Sequence, residues 1–334
     1  MNYRRLGRSG VKVSELILGS WLPQDGARSG DPSVLVCSRK AFDLGINAFD
    51  TADIYRNGES EKLVGQALRD LPRQQIVLAT KCGNTIGTGP NDRGLSRKHM
   101  REACDASLKR LGVDYIDVYQ SHMFDDQTPL EETCRAFDDM VRAGKIIYWG
   151  VSNWSGPQIQ EACAICDARG YDRPVSLQPR YNLFVRTIEK EQLPICEKYG
   201  LGIIAYSPLS QGLLTGKYQQ GVPAGSRGTR VASFGDRFLT PYNKQGVDEL
   251  QAIAAGAGLT LTQLSLAWIL RLPAVTSAII GATQPEQLEE NVKASGVKLG
   301  EDVLAKIQQS LDRRWAQVLE EDSRNLRAAA VPKA

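Results

Sequence analysis

Short apolar runs alternate with segments of helical period along most of the chain. The runs are Leu16 to Gly19, Ile46 to Asp50, Ile76 to Lys81, Tyr115 to Ser121, Ile146 to Val151, Val175 to Gln178, Gly202 to Tyr206 and Ser277 to Gly281. Between them, apolar positions recur at three and four residues, as at Leu130, Cys134, Phe137 and Val141, where Ala143-Gly144 supplies a stop. Comparable helical stretches cover about 33–44, 59–69, 96–111, 157–169, 188–199 and 262–271. A strand-helix alternation with continuous rather than alternating apolar strands predicts a parallel sheet covered on both faces. Eight units in 334 residues predict a closed (β/α)8 TIM barrel in a single domain, 1–334. Ahead of it, Tyr3 to Leu6 and Val11 to Val13 flank Gly7-Arg8-Ser9-Gly10 as an N-terminal β-hairpin.

Two segments break the pattern. Residues 215–243 follow the seventh strand as a long Gly-, Arg- and aromatic-rich loop, of the kind that is either a functional lid or disordered. Beyond Gly296, a helix over about 302–311 is followed by a tail, 313–334, expected to be mobile.

Composition narrows the classes. Lys plus Arg exceeds Asp plus Glu by three (41 against 38), so no general field for nucleic acid or membrane is expected. The N-terminus has no apolar leader and no run is long enough to span a bilayer, so a cytoplasmic protein is expected. Seven scattered cysteines fit reduced thiols. Cys163 and Cys166 match C-x-x-C inside a helix, but no second pair accompanies them, and packing rather than metal is expected. Asn153-Trp154-Ser155 matches a glycosylation sequon with no secretion signal behind it.

In a parallel barrel the strand C-termini converge on one mouth. Here they deliver Ser20 and Trp21, Asp50, Lys81, His122, Ser152 and Asn153, Gln178, Tyr206 and Ser207, and Gly281 with Thr283. Tyr55 follows Asp50 by one turn. A phenol titrates near 10 when unperturbed. A lysine beside it is expected to lower that value, with a carboxylate keeping the lysine charged, so the phenol protonates a nascent alkoxide while His122 orients the carbonyl oxygen or assists the proton relay. Singly, each residue has a plainer reading as an ion pair, a packed aromatic or a core histidine. Jointly, on consecutive strand ends, they point to chemistry.

A Rossmann turn is absent, because Gly87-Thr88-Gly89 has Asp92 where a third glycine belongs. A barrel offers phosphate sites beside strands seven and eight instead, and Gly281-Ala282-Thr283-Gln284-Pro285 opens a helix whose N–H groups suit an anion. Across the mouth, Tyr206 suits stacking on a flat heteroaromatic ring, Asn153 and Gln178 suit a carboxamide, and Lys217 and Arg227 suit a ribose phosphate.

The stretches Gly45-Ile46-Asn47-Ala48-Phe49-Asp50-Thr51-Ala52-Asp53-Ile54-Tyr55 and Asp114 to His122 resemble the aldo-keto reductases. Gly94-Leu95-Ser96-Arg97-Lys98-His99, Tyr148 to Ser155 and Gln211 to Tyr218 resemble the branch with potassium-channel beta subunits and bacterial glyceraldehyde-3-phosphate reductases. The resemblance implies reduction of an aldehyde or ketone by NADPH, with a tetrad of Asp50, Tyr55, Lys81 and His122. It implies that Ser152, Asn153 and Gln178 hold the nicotinamide amide above Tyr206, and that Ser207, Leu209 and Gln211 meet the pyrophosphate. Lys217 and Arg227 would take the 2′-phosphate, and Gly281, Thr283, Gln287, Glu290 and Asn291 the adenosine end; Ser20 and Trp21 are further cofactor-binding candidates. Trp21, Tyr55, Met123, Phe124 and Trp154 or Trp315 are expected to bound the substrate pocket. His122 and Tyr206 depart from the asparagine and tryptophan of the channel subunits, which favours enzyme over NADP(H)-binding sensor. A Schiff-base barrel using Lys81 is a third reading, which Asp50 opposes by keeping that lysine protonated. Substrate and oligomeric state are not encoded legibly.

Overall fold

The computed structural model describes residues 1–21, 32–231 and 233–329. Eight parallel strands close into a barrel in which each strand pairs with the next in sequence and the last with the first. They are β3 (Leu16–Gly19), β4 (Ala48–Asp50), β5 (Val77–Cys82), β6 (Ile116–Ser121), β7 (Ile146–Ser152), β8 (Ser176–Gln178), β9 (Gly202–Ala205) and β10 (Val275–Ile280). The helices between them are α1 (Pro32–Asp43), α2 (Glu59–Leu68), α3 (Arg97–Leu111), α4 (Leu130–Arg142), α5 (Gly156–Arg169) and α6 (Gln192–Tyr199). The antiparallel hairpin β1 (Tyr3–Arg5) and β2 (Lys12–Ser14) precedes the barrel as expected.

The strands carry two kinds of core. Ile17, Ala48, Val77, Ala79, Val118 and Ile204 cluster with Leu6 and Val13 of the hairpin region, so the hairpin plugs the lower end of the barrel. A larger apolar layer, including Phe49, Leu78, Tyr119, Trp149 and Leu177, packs against the helices. Because side chains alternate along a strand, those two residues above Ala48, Ala79 and Val118 share their direction. They are Asp50, Lys81 and Gln120, so the apolar plug gives way to polar groups toward the mouth. Gly150 leaves room for Ser176 of β8 to pack close against β7, since a Cβ there would lie 2.2 Å from Ser176 Oγ.

The insertion after β9 is more ordered than its composition suggested. It holds α7 (Arg227–Arg230), α8 (Phe234–Phe238) and α9 (Pro241–Gly256) before α10 (Leu261–Leu270). The α9 helix was not expected; its start is set by Thr240, whose hydroxyl accepts from the Asn243 N–H, and by Pro241 in the first turn. The α10 helix is buried all round, and no single helix among the described residues is long and apolar enough to cross a membrane. After β10 come α11 (Pro285–Asn291) and α12 (Glu301–Ala329). Thus the helix expected to end near 311 continues to Ala329, and residues 330–334 lie outside the description. Arg314 lies 4.1 Å from the Phe184 ring centroid and donates to Asn243 Oδ1, which docks α12 on α9 and the loop after β8.

Candidate active site

Lys81 is the centre of the mouth. It is fully buried, and its Nζ donates to Asp50 Oδ2 at 2.6 Å and to the Thr51 carbonyl at 2.7 Å. The same Nζ lies 5.1 Å from the centroid of the Tyr55 ring. His122 meets that ring edge-on at 5.7 Å between centroids. The four residues expected to act together are therefore together. Asp50 is further held by Gln178 Nε2 at 2.9 Å, with Gln120 Nε2 at 3.4 Å. Gln120 was not singled out in the sequence; its position two residues above inward-facing Val118 is the signal that identifies it.

Electrostatics refine the expected roles. Burial works against the charge on Lys81, but Asp50 and Tyr55 outweigh it and hold its pKa above the usual lysine value. Burial raises the Tyr55 phenol, and the opposing pull of Lys81 does not cancel that rise. The expectation of a net lowered phenol pKa is therefore corrected: Tyr55 carries its proton at neutral pH, and Lys81 favours the phenolate only against the larger desolvation penalty. Burial, then the Lys81 charge, lowers His122 to about 3, so this ring is neutral. Its Nδ1 is buried without a hydrogen-bond partner.

The second rim joins β7, β8 and β9. Tyr206 OH donates to Asn153 Oδ1 at 2.9 Å, and Asn153 Nδ2 donates to Ser152 Oγ at 3.0 Å. Asn153 sits at φ 60°, in the left-handed region, which directs its side chain across the mouth. Gln178 lies on the same rim, but its amide nitrogen is committed to Asp50 rather than open to a ligand. The chain leaves β9 through Ser207, Ser210 and Gln211, all left-handed, with Gly212 at φ 94°. Gln211 Nε2 donates to Ser207 Oγ at 3.0 Å. Leu209 is partly buried against the core at this turn.

Farther out, the Arg227 guanidinium stacks 4.6 Å above the Trp21 ring. This contact bridges α7 and the end of β3 across the mouth, while Lys217 Nζ lies near the Tyr218 ring, whose hydroxyl accepts from the Gly228 N–H of α7. At the start of α11, Gln287 Oε1 accepts the N–H groups of Thr283 and Gln284. These two donors, expected to await an anion, are already satisfied by the helix's own cap. Glu290 is held by Thr260 and Gln263, and Asn291 is buried. Of the pocket aromatics, Trp154 is fully buried and donates to Ser121 Oγ at 2.9 Å, so it supports Phe124 from behind rather than lining the mouth. Trp315 is exposed on α12, whereas Trp21 and Met123 are exposed near the mouth.

All seven cysteines are buried and none is in a disulfide. Cys163 and Cys166 lie within α5, and burial raises the Cys163 thiol to about 12, which makes it an inert packing group.

The chain is similar to known proteins over most of its length. The Aldo/keto reductase family profile matches residues 15–312. A putative voltage-gated potassium channel subunit beta of Schizosaccharomyces pombe is 44% identical over 320 residues, covering 93% of each chain. A probable voltage-gated potassium channel subunit beta of Arabidopsis thaliana is 42% identical, covering 94% of this chain and 98% of the relative. The L-glyceraldehyde 3-phosphate reductase of Escherichia coli K12 is 39% identical, covering 88% of this chain and 87% of the relative.

Proposed function

Because this chain belongs to the aldo/keto reductase family, we propose that it reduces an aldehyde or ketone to the alcohol with NADPH. The observation that carries the reading is the buried ammonium of Lys81, held by Asp50 on one side and set against the Tyr55 phenol on the other.

The residues present suit the cofactor. Ser20 Oγ and Gln211 Oε1 are buried polar atoms without a protein partner, which an approaching ligand's polar groups would satisfy. Gly281 faces unobstructed space, and Lys217 is exposed on the loop after β9. In this reading Tyr206 lies under the nicotinamide and Ser152, Asn153 and Gln178 hold its amide. Ser207, Leu209 and Gln211 take the pyrophosphate, Lys217 and Arg227 the 2′-phosphate, and Gly281, Thr283, Gln287, Glu290 and Asn291 the adenosine. When bound, NADPH supplies the hydride.

The protein's own part is position and a proton. Neutral His122 orients the carbonyl oxygen by donating from its ring. Tyr55 gives its proton to that oxygen as negative charge develops there. The phenolate that remains is stabilised by Lys81, and Asp50 keeps Lys81 charged and aimed. Because these groups are fixed before the reaction, little reorganisation is required during it.

A second reading is an NADP(H)-binding regulatory subunit with low turnover, favoured by the names of the fungal and plant relatives. Following NADPH absorbance against a panel of aldehydes and ketones, including a small phosphorylated aldehyde, separates the two. Reduction of panel members supports the enzyme; tight cofactor retention with negligible turnover throughout supports the subunit.

A further inference from the structure

Behind β5, on the side opposite Lys81, lies a buried charge cluster that the reaction as described does not use. Thr80 and Cys82 flank Lys81 in sequence and project away from it. Facing them, Glu61 of α2 accepts from Thr80 Oγ1 and from Arg110 Nε of α3, both at 2.6 Å. Asp53 completes the cluster. It is 2% exposed, and its carboxylate oxygens find no hydrogen-bond partner beyond a weak pull from the adjacent Ile54 N–H.

Asp53 and Tyr55 share one short turn. The Asp53 N–H donates to the Lys81 carbonyl at 3.2 Å, so the turn is fastened to the strand that carries the active-site lysine. Arg56, Asn57 and Gly58 then follow with φ of 52°, 52° and 86°. Arg110 runs directly beneath them, since a Cβ on Gly58 would meet its Cδ at 2.6 Å. The turn is thus clamped between β5 and the Arg110–Glu61 pair, in a conformation that non-glycine residues rarely adopt.

Two carboxyl groups here share one guanidinium, and Glu61 takes it. Burial and then the Glu61 charge push Asp53 up to about 7, against weaker pulls from the Ile54 N–H, Arg110 and Lys81. The remaining titratable groups around it, Cys82 of β5 and Tyr119 of β6, are raised well above their usual values by burial and stay neutral. Cys104 of α3, beside them, is raised to about 12.

We propose that Asp53 is a positioning residue for the proton donor: neutral, it lets the 51–58 turn hold Tyr55 against Lys81, and ionised, it is repelled by Glu61 and displaces that turn. The proposal rests on the reductase reading. It also links proton uptake to folding. Asp53 binds its proton more tightly in the native state, so its contribution to stability is present at low pH and is lost as pH rises from about 4 through about 7.

The test compares wild type with Asp53→Asn, a neutral residue of the same shape. For wild type, kcat for carbonyl reduction is expected to fall several-fold between about pH 6 and about pH 8.5 with the Kd for NADPH unmoved; in Asp53→Asn that fall is expected to vanish. Parallel pH profiles in an active wild type and variant would overturn the role. Carbon-13 NMR of aspartate-labelled wild-type protein without ligand gives a readout independent of both turnover and the variant. One carboxyl titrating near pH 7, with the Tyr55 ring resonances shifting at the same midpoint, supports the proposal; titration of every aspartate below about pH 5 overturns it. Absence of turnover at every pH despite that carboxyl titration would instead overturn the reductase reading, and this catalytic role with it.

Discussion

The two halves of the mouth are built differently. On β4, β5 and β8, Asp50, Lys81 and Gln178 are buried and bonded to one another, and the Lys81 ammonium makes two hydrogen bonds within 2.7 Å. Beyond β9, the chain turns through three left-handed non-glycine residues and reaches outward to an exposed Lys217 and to an Arg227 that rests on Trp21. The first half is fixed by the sheet before any ligand arrives. The second is assembled from turns and surface side chains, whose partners a ligand can replace. Fixed dipoles suit the reacting atoms, where reorganisation is costly, and exchangeable contacts suit a cofactor that must enter and leave.

The largest break in this comparison is Lys81→Met. Removing one member of a buried ion pair leaves Asp50 charged and uncompensated, with an expected loss of about 3–5 kcal/mol. Denaturant unfolding would measure it, and a loss below about 1 kcal/mol would mean that Asp50 is accommodated without its lysine. On the outer half the effect should be smaller and confined to binding. Lys217→Met is expected to raise KM for NADPH about tenfold, about 1.4 kcal/mol, with KM for NADH unchanged. An equal change for both cofactors would remove the 2′-phosphate assignment.

The smallest effect is an absence of titration. His122, lowered to about 3, should show no protonation step in its ring resonances between about pH 5 and about pH 8. The linked stability has the opposite sign to that of Asp53. Below the unfolded value of 6.5, unfolding takes up a proton that the native ring refuses, so this contribution is lost as pH falls from about 6.5 toward about 3.

The same division explains what was legible in the sequence. Strand ends are fixed by topology, so Asp50, Lys81 and His122 could be placed together from eight apolar runs alone. Their energetics could not, because the net rise of the Tyr55 pKa depends on burial that no spacing reveals. The outer half was less legible: Arg227 lies on Trp21, and Gln287 occupies N–H groups offered to a phosphate, because loop side chains choose among nearby partners. The cluster behind β5 did leave a trace. Glu61 stands on the apolar stripe of α2 with Val64 and Leu68, at spacings of three and four, where a charge requires a buried partner.

The central claim is that Tyr55 donates the proton and the rest of the mouth serves that step. The direct measurement is single-turnover oxidation of bound NADPH by an aldehyde that wild type reduces, set beside the Tyr55→Phe protein with cofactor affinity measured on both. The phenyl variant should bind NADPH as tightly as wild type and react about 10²–10⁴-fold more slowly. Equal single-turnover rates in the two proteins would contradict the account.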